Sequence, residues 1–259
     1  MLKKKFDNFW RYRNLLYQLV KKGIVLKYRR SYLGIVWSLL EPVLTTMVLT
    51  VVFGTLFAKD DKYFSLYILC GRLLYSQFSS GTKRALRSIR ANAGMIKKVY
   101  VPKYLYPMAD VLYNYIIFLI SLLVLAIWGL ALGKAPTPSW LLMILPLGTL
   151  LILTYGVGMI LATVGVFFRD MEYLWDVFLM IIMYTCAIFY YPTRLLKSGY
   201  SFVLNYNPLY GLICNMRHIV FREALEWDRL AFSFIVAIIS LLVGVYVFNK
   251  KQDDFILYI

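Results

Sequence analysis

The chain has 259 residues, 61% hydrophobic and 17% aromatic, with a net charge of +16. A soluble domain carries about 45–50% apolar residues, so this composition excludes an ordinary water-soluble fold. The cations sit beside apolar runs, which reads as membrane topology rather than nucleic-acid binding, and apolar blocks of about 20 residues exclude the short alternating strands of a β-barrel.

Lys3, Lys4 and Lys5 open the chain, yet residues 6–33 supply neither an uninterrupted apolar core nor a small-residue cleavage site. A retained N-terminus is therefore expected rather than a signal peptide. Residues 8–30 read as an amphipathic interfacial helix, with Phe9, Tyr12, Leu16, Leu19, Gly23 and Leu26 on one face and Arg11, Asn14, Gln18, Lys21, Lys22 and Arg29 on another. Six membrane spans are predicted over 34–58, 64–82, 105–133, 140–167, 173–192 and 228–248. Arg72 interrupts the second. The basic segment 83–104 is expected as one or two short helices closed by Pro102. Residues 193–222 mix aromatics with Asn-Pro and Gly breaks and are expected as re-entrant or surface helices on the outer side.

The expected architecture is an all-α integral membrane protein: a cytoplasmic N-terminus with its interfacial helix over 1–33, a six-span domain over 34–248 and a tail over 249–259. The segments on the N-terminal side of the membrane hold 20 Lys and Arg against 7 in the opposite loops. By the positive-inside rule both termini are cytoplasmic.

No GxxxxGK[ST] phosphate loop, HExxH or GxSxG motif is present. Asp60-Asp61 and Asp253-Asp254 read as solvated charge. Cys70, Cys186 and Cys214 are scattered without a CxxC pair, so neither a disulfide framework nor a zinc site is expected. The single histidine, His218, reads as an ordinary interfacial residue. Three spans carry polar stripes at helical spacing: Trp37, Glu41 and Thr45; Arg72, Ser76, Ser79, Ser80 and Lys83; and Asp176, Met180 and Tyr184. Such stripes either join helices, with Glu41 and Arg72 neutralising each other, or line a water-accessible path. Tyr184, Phe189, Tyr190, Tyr191, Tyr206 and Tyr210 suit sugar rings by stacking, or form an interfacial aromatic belt.

The stretch KYRRSYLGIVWSLLEPVLTTMVLTVVFG from Lys27 resembles the start of the first span in ABC-2 type permeases that export polysaccharides, the O-antigen and teichoic acid exporters. NAGMIKKVYVPKYLYPMADV at 92–111, GVGMILATVGVFFRDMEYL at 156–174 and NYNPLYGLICNMRHIVF at 205–221 continue the resemblance in order. It implies the membrane subunit of a transporter in the bacterial cytoplasmic membrane: two copies with two copies of a nucleotide-binding ATPase, which binds ATP and Mg while this chain holds no cofactor. The cargo would be an undecaprenyl-linked glycan passing between the two permeases.

On that resemblance, Lys27, Arg29, Arg30, Ser31 and Gly34 form a cytoplasmic gate where the cations meet anionic headgroups or the carrier's pyrophosphate, unless they only enforce topology. Trp37, Glu41, Thr45, Arg72, Ser76, Ser79, Tyr184 and Phe189 line the channel. Asn92, Ile96, Lys97, Lys98, Tyr100 and Pro102 face the ATPase, and Tyr206, Asn207, Pro208 and Tyr210 belong to an outer gate. Glu41 and Arg72 depart from the family's usual neutral residues. Two other functions compete: a membrane enzyme acting on lipid-linked sugars, with Asp170, Glu172 and His218 as its candidate groups, and an ABC-2 permease for a drug or simple lipid.

Overall fold

The computed structural model describes residues 2–29, 31–57, 61–99, 101–196, 199 and 201–259. Among these there is no strand. Helix α1 (Leu2–Tyr28) leads through a short 3-10 turn at Gly34–Val36 into α2 (Trp37–Phe57), followed by α3 (Phe64–Ala91), α4 (Ala93–Ile96) and α5 (Leu105–Ala131). After α6 (Ile144–Phe167) and α7 (Met171–Thr185) come three shorter helices, α8 (Thr193–Leu196), α9 (Phe202–Asn205) and α10 (Pro208–Phe221), before α11 (Trp227–Lys251) and α12 (Phe255–Tyr258).

Among the described residues, four helical stretches are long and apolar enough to cross a membrane: Gly34–Leu56, Leu105–Ala131, Pro138–Phe167 and Trp227–Lys251. They correspond to the first, third, fourth and sixth predicted spans. The second falls within α3, which does not stop near residue 82 but runs on to Ala91. The basic segment expected as separate short helices therefore starts as the continuation of α3, and only α4 is a short helix of its own. Its cations are tolerated in a long helix because Lys83, Arg87 and Arg90 find carboxylates on α7.

The fifth predicted span is also shorter than expected. Helix α7 has 15 residues, about 22 Å at 1.5 Å per residue, against about 30 Å of hydrocarbon. It ends because Ala187 turns left-handed at φ +48, and Arg217 from α10 binds the carbonyls beyond the break. Nε of Arg217 donates to the Tyr67 carbonyl at 3.2 Å and Nη2 to that of Ala187 at 3.1 Å, while the guanidinium stacks 3.4 Å from the centroid of the Tyr67 ring. Arg217 is 4% exposed. A cation at a helix C-terminus is favoured by the helix dipole, and one this deeply buried must be hydrogen-bonded.

The α6 sequence GVGMILATVG provides close approach. A Cβ on Gly156 would lie 2.5 Å from the backbone nitrogen of Leu241, and one on Gly244 would lie 2.5 Å from the Gly156 carbonyl oxygen. Helices α6 and α11 therefore meet backbone to backbone, as small residues allow within membranes. Gly156→Leu should lower the thermal stability of the detergent-purified chain by about 1–3 kcal/mol or more through overpacking. Gly148, with open space around its Cβ position, should accept alanine without a change in melting temperature.

Helix α1 is amphipathic as expected, but it packs on α5 through Tyr12, Leu15, Leu16, Leu19, Val20 and Ile24, with Gly23 against the Tyr113 ring. Leu26, placed on the apolar face by spacing, is 55% exposed. Helix α10 is no surface helix: Leu212, Ile213 and Met216 are fully buried. At the other end, Phe255 of α12 docks on Phe248 and Phe167, folding the tail back onto the bundle.

Candidate functional site

Helices α2, α3 and α5 line a polar cavity of about 80 Å³ that opens to the surface at Glu41 and Ser80, with the end of α1 at its edge. Its lining includes Lys27, Ser38, Glu41, Thr45, Arg72, Ser76, Gln77, Ser80, Asn114 and Ser121. Helical spacing produces this convergence: Ser38, Glu41 and Thr45 lie three and four residues apart on α2, and Arg72, Ser76 and Ser80 follow at steps of four on α3. The Ser121 hydroxyl donates to the Ser38 carbonyl at 2.9 Å, tying α5 to α2, and the Thr45 hydroxyl donates to the Glu41 carbonyl at 2.7 Å.

The buried Gln77 amide nitrogen has no protein partner. A cavity of this size and polarity admits a few water molecules. Glu41 is its sole lining carboxylate, facing two cations, Lys27 and Arg72. No ion pair within 4.0 Å joins Glu41 to either one among the described residues, so the neutralisation of Arg72 by Glu41 is not a direct salt bridge. Desolvation lowers the Lys27 pKa, while Glu41 pulls it the other way.

The turn leading into this cavity depends on Ser31 and Gly34. Gly34 has φ +49, a left-handed conformation that glycine adopts without a Cβ penalty. The Ser31 hydroxyl accepts from its N–H at 3.1 Å.

A second, more open cavity of about 370 Å³ lies between α1 and the adjoining ends of α3 and α5. Lys22, Arg84, Arg87, Asn92 and Asp110 supply its polar groups. Beside it, α7 runs antiparallel to the second half of α3 along a series of polar contacts. Tyr75 donates to the Leu179 carbonyl at 2.9 Å, the Trp175 indole donates to the Thr82 hydroxyl at 3.0 Å, and Lys83 pairs with Asp176 at 2.8 Å. Glu172 is held by Arg87 at 2.7 Å and also by Arg90.

The family's sequence profile, described as ABC-2 type transporter, matches residues 14–221. The chain belongs to the ABC-2 transporter family. Over 244 residues this ABC-2 chain is 27% identical to the O-antigen export system permease protein RfbA of Klebsiella pneumoniae, covering 93% of each. It is 26% identical over 251 residues to the protein of the same name from Myxococcus xanthus, covering 95% of each. The polysialic acid transport protein KpsM of Escherichia coli is 24% identical over 240 residues, covering 91% of this chain and 92% of the relative.

Within this ABC-2 chain the expected lining residues separate. Glu41, Thr45, Arg72 and Ser76 meet in the polar cavity, while Ser79 lies outside its lining and Trp37, 45% exposed, stands at the start of α2. Phe189 is buried against Phe53, ring centroids 4.8 Å apart, and Tyr184 is exposed on α7. Arg29 is exposed beside this turn, and Arg30 and Tyr100 lie outside the described residues.

Asn92 joins α3 to α4, donating to the Ser88 carbonyl at 2.8 Å. Ile96 is buried while Lys97 and Lys98 are exposed, and the Pro102 carbonyl accepts from Leu105 at the start of α5. Asn207 caps α10 by accepting from the Leu209 N–H at 3.0 Å, with Pro208 in the first helical turn. Its amide also donates to Thr185 at the end of α7. Tyr206 is exposed, whereas Tyr210 is buried in the core.

The three groups suggested for an enzyme are not brought together. Glu172 is engaged by two arginines, Asp170 stands at the start of α7, and His218 sits in a separate cluster on α10. The sequence reading passed over Arg217, although a cation in an apolar run was available as a signal. It also passed over Gln77 and Ser121, which become visible only once α3 and α5 face each other.

Proposed function

We propose that this chain is the membrane subunit of an ATP-driven exporter that moves an undecaprenyl-linked polysaccharide, such as an O-antigen or a teichoic acid, across the cytoplasmic membrane. The similarity along more than nine-tenths of the chain to proteins named for O-antigen export and polysialic acid transport carries this reading. Two copies assemble with two nucleotide-binding subunits, which bind ATP and Mg. The chain crosses the membrane six times with both termini in the cytoplasm, α3 serving as the second crossing and α7 with the segment that follows it as the fifth.

The polar cavity supports a paired arrangement. At about 80 Å³ it falls well below the roughly 300–1,000 Å³ of a small-molecule pocket and cannot carry a glycan by itself; a surface shared between copies supplies the path. Helices α2 and α7 offer suitable faces: Met47, Val48, Val51 and Val52 on one and Tyr173, Val177, Ile181 and Tyr184 on the other are exposed. The segment from Asn92 to Pro102 meets the ATPase, and residues 193–222 form the outer gate.

Purification of the tagged chain from its native membrane in mild detergent should recover an ABC ATPase without spans of its own at equal stoichiometry. Recovery of a glycan-synthesising enzyme instead would overturn the assignment. Joint reversal of Arg29 and Arg30 to glutamate should abolish surface glycan while the chain still reaches the membrane, because each basic residue near an anionic surface contributes about 1 kcal/mol. Normal surface glycan on an immunoblot would remove these two residues from the gate.

A further inference from the structure

We propose that Cys214, His218 and Glu226 form a zinc-binding site at the corner where α10 turns into α11. Cys214 and His218 stand four residues apart on one face of α10. Sγ of Cys214 lies 3.7 Å from Nε2 of His218 and 3.7 Å from Oε1 of Glu226, and that oxygen is 3.8 Å from the same Nε2. Oε2 of Glu223 is 3.4 Å from Nε2. Zinc binds sulfur at about 2.3 Å and nitrogen or oxygen at about 2.0–2.2 Å, so tetrahedral ligands stand roughly 3.3–3.6 Å from one another. The separations among Cys214, His218 and Glu226 sit within a few tenths of an ångström of that figure, and thiolate, imidazole and carboxylate are the donors zinc takes.

The surroundings hold these atoms in place. The imidazole Nδ1 is 2.7 Å from the Ala224 carbonyl; a carbonyl only accepts, so a proton sits on Nδ1 and Nε2 faces the cluster, where a metal ion would take the place of the ring's second proton. Histidine ligands are commonly oriented this way by a second hydrogen bond. Arg222, left-handed at φ 66, reverses the chain at the end of α10, and the Glu223 N–H donates to the His218 carbonyl at 2.7 Å. Asn215, fully buried, then fixes Glu226: its Oδ1 accepts from the Glu226 N–H at 3.0 Å and its Nδ2 donates to the Glu226 carbonyl at 3.2 Å.

Arg229 pairs with the other carboxylate oxygen of Glu226, at 2.7 Å, leaving Oε1 directed at the sulfur. The three protein donors of the site, two from α10 and one from the start of α11, pin these helices together, and the site opens onto a cavity of about 450 Å³ lined by Tyr63, Tyr67, Tyr191 and Arg217.

The test uses the full chain, purified in detergent under reducing conditions, treated with chelator and then exchanged into Zn²⁺ or Co²⁺. One Zn²⁺ should be retained per chain and should raise the melting temperature. The Co²⁺ form should show the intense visible bands of a tetrahedral site together with a thiolate charge-transfer band. Cys214→Ser should abolish that band, and Glu226→Gln should weaken binding by at least about tenfold. Wild-type chain that retains no metal would mean that the cluster is an ion-pair network of His218 with Glu223 and Glu226, overturning the proposal. Equal retention by wild type and Cys214→Ser, or Co²⁺ bound without a thiolate band, would place the metal elsewhere and overturn it as well. The wild-type spectrum decides the question even if a variant fails to fold.

Discussion

Replacing Arg217 by alanine should cost the folded chain about 3–6 kcal/mol, since two hydrogen bonds from a charged group contribute about 1.5–3 kcal/mol each. The guanidinium joins three elements. It lies on α10, donates to the Tyr67 carbonyl of α3 and to the Ala187 carbonyl just past α7, and stacks on the Tyr67 ring. The Tyr67 hydroxyl donates to the same Ala187 carbonyl at 3.2 Å and to that of Tyr190 at 3.1 Å.

Loss of the fork therefore frees the segment that follows α7 as well as the seat of α10. Arg217→Lys keeps the charge and forfeits both the planar fork and the stacking, so its loss should be smaller than that of alanine yet clearly measurable. Tyr67→Phe removes only a neutral donor and should cost about 1 kcal/mol. Thermal unfolding in detergent gives the order Ala, Lys, Phe from most to least damaging. Equal melting temperatures for wild type and Arg217→Ala would show that the break after α7 is held by packing alone.

The break itself explains which part of the fold was legible in the sequence. Four spans were readable because a long apolar run needs nothing beyond its own hydrogen bonds to be a helix in lipid. The extent of α3 was not, since its second half is basic and stands as a helix only because α7 supplies Asp176 and Glu172 across the interface. Likewise, residues 173–192 are apolar enough to read as one span, and nothing local marks Ala187 as the point of reversal; the partner that stabilises it lies 30 residues further on.

The site residues follow the same division. Gly34, Ser31 and Pro208 work through neighbours within three residues, as does the capping oxygen of Asn207, whose amide nitrogen reaches across to Thr185 only in the folded chain. Glu41, Arg72 and Ser76 were placed on helix faces by spacing, but which helix each face meets depends on tertiary packing. Glu223 and Glu226 reach His218 only because Arg222 turns the chain back. In the sequence they follow it as unremarkable surface charge.

Glu41→Gln should lower export of surface glycan more than tenfold without changing the amount of protein in the membrane. Glu41 balances one of the two cations lining the polar cavity; without it, Lys27 and Arg72 line the same space with no anion between them. Adding Arg72→Gln to Glu41→Gln returns the lining to its original charge, with one cation in excess. If the charges act through the cavity, the second change should therefore restore part of the export lost to the first, with a coupling of about 0.5–3 kcal/mol in a double-mutant cycle. Immunoblots for surface glycan, normalised to membrane-inserted protein, provide the readout. Additive losses would mean that Glu41 and Arg72 serve separate helix contacts, because a purely structural role for each gives the second substitution nothing to repair. Recovery in the double variant has the opposite meaning: the charge balance of a hydrated cavity, rather than the packing of either side chain, sets how readily α2 and α3 rearrange during transport.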